Sequence, residues 1–151
     1  MPTTLTFSNR NRYGGYHINA KNNVIVVTFT GAFNQDLSLK YLQHIKQIAA
    51  IKSQQPWALS ANFIDYQALT PDAEKVLRQT YIVCLQSNCI ADAYCIDSLV
   101  GLAQIKKVRI DANIQDPIEK CLFIDEPSAT KYLQKIIGSA AVLLDNNGTA
   151  Q

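Results

Sequence analysis

Long apolar runs are missing from this 151-residue chain: none approaches the roughly 20 residues that a helix needs to cross a bilayer. The first residues, MPTTLTFSNRNR, carry no apolar stretch of the kind found in export signals, so a cytoplasmic protein with reduced thiols is expected. An excess of one charge is missing too. Fourteen Lys and Arg against twelve Asp and Glu leave +2, too little to draw nucleic acid or an anionic membrane surface. The densest basic run, Lys106-Lys107-Val108-Arg109, reads as the solvated face of a helix. Cys84, Cys89, Cys95 and Cys121 show no CxxC spacing, which excludes the common zinc motifs, and neither metal nor cofactor is expected. There is no G-x-x-x-x-G-K-[ST], G-x-G-x-x-G, G-x-S-x-G or H-E-x-x-H. His17, in a hairpin, and His44, on the polar side of a helix, read as surface residues.

The composition that is present is globular, 48% hydrophobic and 17% charged. The length suits one domain that buries about 68–70% of its unfolded surface. Residues 1–12 read as a loose lead-in, 13–138 as the domain and 139–151 as a frayed tail. Tyr13–Asn19 and Val24–Thr30 are strand candidates around the polar tetrad Ala20-Lys21-Asn22-Asn23. The second, VIVVTFT, is β-branched on both faces and belongs inside a sheet. After Asn34, Leu37, Tyr41, Leu42, Ile45, Ile48 and Ala49 form one helical stripe ending near Lys52. Trp57–Ile64 is the next strand. Ala73, Val76, Leu77, Thr80, Tyr81, Cys84 and Leu85 then mark the clearest helix. Ile90–Ile96 comes next as a strand buried on two faces, then residues 99–112 as a helix and Lys120–Ile124 as a last strand. A helix opens at Asp125-Glu126-Pro127 and packs through Ala129, Tyr132, Leu133, Ile136 and Ile137. The order β-β-α-β-α-β-α-β-α predicts an α/β fold: a mixed, mostly parallel sheet with an N-terminal hairpin and covering helices.

Four helix starts, Asn34, Thr70, Ser98 and Asp125, each come after a strand end. In a mostly parallel sheet they fall on the carboxyl edge, where open α/β sheets tend to bind ligands. Thr70 stands at an N-cap with Pro71 as the first helical residue. Its hydroxyl faces the positive end of a helix, a place that suits an anion. Phe33, Asn34, Asp65, Tyr66 and Ser98 flank it as candidate contacts. Tyr13, Tyr16, Phe33 and Tyr66 read as a lid on the core, as a lining for an apolar pocket or as a surface that packs against a partner. Cys89 is the thiol expected to be most exposed.

The segments VIVVTFTGAF, WALSANFIDYQALTPDAEKVL and LFIDEPSATKYL, in this order, resemble the STAS fold of anti-sigma-factor antagonists, most of all its divergent SpoIIAA-like branch. The resemblance spans about Tyr13–Ile137. It implies a non-catalytic module that recognises a protein partner or a small anionic ligand at the carboxyl edge and the start of the second helix. In such antagonists a hydroxyl at that helix start is phosphorylated, and Thr70 holds the corresponding place. The usual Asp-Ser-[Ser/Thr]-Gly run is replaced here by Ala68-Leu69-Thr70-Pro71. The fold is also similar to CRAL-TRIO lipid-binding domains, which implies the alternative of a carrier for an apolar small molecule or lipid. An enzyme built on Cys89 or His44 is a third reading.

Overall fold

A computed structural model describes residues 4–149. Five strands form one sheet in sequence order: β1 (Leu5–Arg10), β2 (Gly14–Lys21), β3 (Val24–Phe33), β4 (Trp57–Leu69) and β5 (Cys89–Cys95). The first two pairings are antiparallel, and β3–β4 and β4–β5 are parallel. The α/β class and the mixed sheet are as expected, and the expected hairpin is β2–β3, turning at Asn22, whose φ of 62° is left-handed. The helices are α1 (Gln35–Lys52), α2 (Pro71–Gln86), α3 (Leu99–Asp111) and α4 (Glu126–Thr149). Two crossovers, β3-α1-β4 and β4-α2-β5, place α1 and α2 side by side on one face. There α3 packs beside α2, while α4 lies against β3, β4 and β5 on the other face.

The faces differ in side-chain size. Beneath α1–α3 the sheet contributes Ile18, Ile25, Val27, Phe29, Leu59, Phe63 and Tyr94, all within the main core. Phe29 and Phe63 stack with centroids 4.4 Å apart, and Tyr41 meets Phe29 edge-on at 5.1 Å. Beneath α4 the sheet offers Ala58 and Ala93, so a helix carrying Ala129 and Leu133 packs closely there.

Three elements differ from expectation. Leu5–Arg10, expected within the loose lead-in, is β1. Its period-2 pattern turns Leu5 and Phe7 inward, and Phe7 packs on the ring of His44 at 4.7 Å. His44 is accordingly half-buried rather than a surface residue. Lys120–Ile124 is not a strand: Ile118–Lys120 forms a 3-10 turn, and the segment after it makes a single bridge, Tyr94 to Leu122. Pro117, which cannot donate to a ladder, and the turn behind it leave too little extended chain for one. α4 runs on to Thr149 where residues 139–151 are expected to fray, because Gly138 continues the helix instead of capping it. Residues 1–3 of the lead-in and 150–151 of the tail lie outside the described residues.

β4 also runs five residues past Ile64. A register shift against β3 lies between Thr28 and Thr30, and a second lies at Gly31–Ala32. Gly31 sits at φ 68°, and a Cβ there would lie 2.3 Å from the Tyr13 carbonyl oxygen, so only glycine fits. These irregularities carry Asp65 and Tyr66 into the strand and bring Leu69 opposite Phe33.

Candidate functional site

The carboxyl edge is built from helix caps. Asn34 accepts from the Leu37 amide at 3.0 Å, Ser98 from the Gly101 amide at 3.0 Å and Asp125 from the Ser128 amide at 2.8 Å. Thr70 adopts the extended backbone of an N-cap, and its Oγ1 accepts from the Ala73 amide at 3.3 Å. Its own amide donates to the Phe33 carbonyl at 3.0 Å, joining the starts of α1 and α2. The four starts therefore share one edge.

Thr70 is already engaged. Its hydroxyl donates to Asp72 Oδ1 at 2.5 Å, and the same oxygen accepts from the Ala73 amide at 2.9 Å. The Thr70 hydroxyl, helped by that amide, holds the Asp72 carboxyl below the usual carboxylate range. A carboxylate of the chain thus occupies the positive end of α2 where an external anion would sit. Asp36, Asp65, Asp97, Asp125 and Glu126 stand at the same edge, Asp36 is paired with Lys40, and the β1–β2 turn brings Arg10 and Arg12 there beside Asn34, so the edge carries charge of both signs.

The flanking candidates divide. Asn34 and Ser98 are partly exposed caps and Asp65 is exposed. Phe33 and Tyr66 are 1% and 4% exposed, so neither is a surface contact. Both belong to the aromatic core, and Tyr66 is held further by its hydroxyl, which donates to Gln104 Oε1 at 2.8 Å. Tyr16 is buried as well, while Tyr13 is exposed. In place of Phe33 and Tyr66 the apolar surface at this edge includes Leu99 (86% exposed) and Val100 (57% exposed) at the start of α3, and Ile124 (91% exposed) beside the Asp125 cap.

Gln104 has no counterpart among the residues that the sequence singles out. Its Oε1 accepts from the Leu69 amide at 2.9 Å and its Nε2 donates to the Leu69 carbonyl at 3.1 Å. It continues the hydrogen bonding on the side of β4 where the pairing with β5 has ended at Asn62, and so fixes the approach to Thr70. A polar residue one position before Ile105, on the buried stripe of α3, is the available signal.

Arg109 overturns the solvated-face reading of residues 106–109. It is 2% exposed, and its guanidinium grips Asp92 through Nε at 2.7 Å and Nη2 at 2.9 Å. Its Nη1 donates to the Asp116 carbonyl at 2.8 Å. Tyr94 also donates to Asp92, at 2.5 Å, so it must receive the bond that links it to the Tyr81 hydroxyl at 2.7 Å. Lys106 and Lys107 do face solvent, pairing with Glu119 and Glu74.

The remaining candidates show little chemistry. Cys84, Cys95 and Cys121 are buried and Cys89 is half-buried. The neighbouring Cys84 thiol, together with burial, pushes the Cys89 thiol up, the opposite of what an activated nucleophile needs. His44 Nδ1 lies 2.6 Å from the Tyr16 hydroxyl, and burial lowers its pKa. Among the described residues no three His, Cys, Asp or Glu side chains gather as metal ligands, and no helix is long and apolar enough to cross a membrane. The void between α1, α2 and the sheet is about 10 Å³.

No protein-family model matches this chain, and no curated protein sequence matches it. Its structure is similar to the crystal structure of an anti-sigma factor antagonist from Mycobacterium paratuberculosis, with a TM-score of 0.53 over 87% of this chain and 95% of that one. Identity is 15%, so the two share the fold. The α/β sandwich described above is therefore STAS-like.

Proposed function

We propose that this chain is a non-catalytic STAS-like regulatory module that binds a protein partner through the carboxyl edge of its sheet. The observation that carries the reading is the Leu99–Val100 pair, solvent-exposed directly after the Ser98 cap of α3 at this edge, with Asp97 just before that cap. Apolar anchors within a charged rim are the makings of a protein interface. The structural likeness to an anti-sigma factor antagonist supports the same role. A protein surface suits this edge better than a small anion, because Asp72 already takes the Ala73 amide at the start of α2.

Thr70 is the switch position in this reading. A phosphate there would add about −1.5 to −2 charge against Asp72 and the neighbouring acids, and repel whatever docks on Leu99. The test compares proteins from the source cells retained by immobilised wild type, Thr70→Ser and Thr70→Glu. Wild type and Thr70→Ser should retain a common partner that Thr70→Glu loses at least tenfold. Equal retention by all three would sink the role of Thr70.

A further inference from the structure

The side edge of the sheet, at β5, carries a feature independent of the carboxyl edge. Here β5 is the last strand, and its outer side is sealed only near the top. The Tyr94 amide donates to the Cys121 carbonyl at 2.8 Å, and the Phe123 amide donates to the Tyr94 carbonyl at 2.9 Å. Main-chain groups alternate sides along a strand, so those of Asp92 point the same outward way as those of Tyr94. On its inner side Asp92 lies opposite Leu59 of β4, and beyond that ladder no main-chain hydrogen bond of the described residues is made to it. The lower half of the edge is an open hydrogen-bonding template.

Against that stretch lies a cavity of about 270 Å³. Its walls are apolar: Tyr81 and Leu85 from α2, Ile90 from β5, and Ile114 from the loop after α3. One aliphatic side chain with its peptide unit fits the space. The charged groups at the rim are Asp92 and Asp116. The carboxylate of Asp92 is neutralised by Arg109 below it, whereas that of Asp116 makes no ion pair among the described residues. The Arg109 cation is thus fully used, and the rim complements a positive charge.

We infer that the Ile90–Asp92 edge of β5 accepts a short extended peptide that adds to the sheet as a further strand. Its main chain pairs with the free amide and carbonyl of Asp92. One aliphatic or aromatic side chain fills the cavity between Leu85 and Ile114, and a neighbouring Lys or Arg meets Asp116. The register shift between Trp57 and Ala58, matched on β5 by the step from Cys89 to Ala91, confines the template to these few residues. That restricts the site to a short motif and keeps the edge from pairing along its length with another sheet.

The probe is a phage-displayed library of random dodecapeptides selected on the full chain, with counter-selection on Leu85→Arg. Leu85 is 46% exposed, so this variant fills the cavity mouth without entering the core, and an unchanged melting temperature verifies that. Enriched peptides should share an apolar residue next to Lys or Arg. A synthetic copy should shift the amide resonances of Ile90–Asp92 and bind Leu85→Arg at least tenfold more weakly. Asp116→Lys should also weaken it, and methylating alternate peptide amides should weaken it tenfold or more. The inference is overturned if nothing is enriched over Leu85→Arg. It is equally overturned if methylated peptides bind as well, which would make the cavity a small-molecule pocket, or if the shifted amides lie at Thr70 and Leu99.

Discussion

The carboxyl edge and the β5 side of the molecule invert what their residues suggest in isolation. At the carboxyl edge, hydroxyls and carboxylates stand at helix starts, where ligands are commonly held. Each cap is instead committed to an amide of its own chain, and the exposed apolar surface there includes Leu99, Val100 and Ile124. At β5 a charged residue interrupts an apolar strand and a basic run decorates a helix. There the fold has buried a two-pronged ion pair with two tyrosines lined up behind it. Polar groups within reach of backbone amides are used for capping. Polar groups carried inward by a strand or helix stripe must find each other, because unpaired burial costs several kcal/mol.

Breaking the buried pair should have the largest effect. Arg109→Ala leaves the Asp92 carboxylate without its partner and should destabilise the fold by about 3–5 kcal/mol in urea denaturation. Replacing both partners, Arg109→Met with Asp92→Leu, should recover most of that loss, since a buried ion pair and an apolar pair of similar volume are nearly equivalent. A double variant as unstable as Arg109→Ala would mean that the pair does more than satisfy itself. At the carboxyl edge the same denaturation should read a smaller number. Thr70→Ala should cost roughly 0.5–2 kcal/mol as a lost cap, with Thr70→Ser close to wild type.

A pH effect tests a third polar group, the one that fastens β1 to α1. His44 has a lowered pKa through burial, so the unfolded chain takes up its proton first as pH falls. Between the folded value and the ordinary value near 6.5 the unfolded state therefore binds more protons, and stability declines with falling pH. Melting temperature should drop from pH 7 to pH 5.5 in wild type and should vary less in His44→Gln. The carboxyls of Asp72, Glu119 and Asp125 are held low by hydrogen bonds, and their contributions are lost only at more acidic pH.

These contrasts show where the sequence is legible. Caps are local: Asn34, Thr70 and Ser98 are readable because each depends on residues three positions away, and the stripe of α2 announces its own buried face. The pairing of Asp92 with Arg109 joins residues 17 apart, and that of Gln104 with Leu69 residues 35 apart, so neither partner can be inferred from its neighbourhood. The hints are a charge between Ala91 and Ala93, and Arg109 falling four residues after Ile105 on the inward stripe. Phe33 and Tyr66 read as neighbours of the site because the strand pattern of β4 ends at Ile64. Its extension past a bulge turns two supposed surface aromatics into core. Leu99 and Val100 give no signal, since the helix they open has almost no one-sided pattern of its own.

Helix α3 offers the most direct test, because it exposes apolar side chains at both ends: Leu99 at the carboxyl edge and Ile110, 62% exposed, at the other. A photo-reactive phenylalanine placed at either position and irradiated in the source cells reports what touches each. If the carboxyl edge is the partner-binding surface, position 99 should yield a discrete protein adduct that position 110 does not, and Thr70→Glu should abolish it. Adducts that are the same from both positions, or that come from position 110 alone, would contradict that assignment.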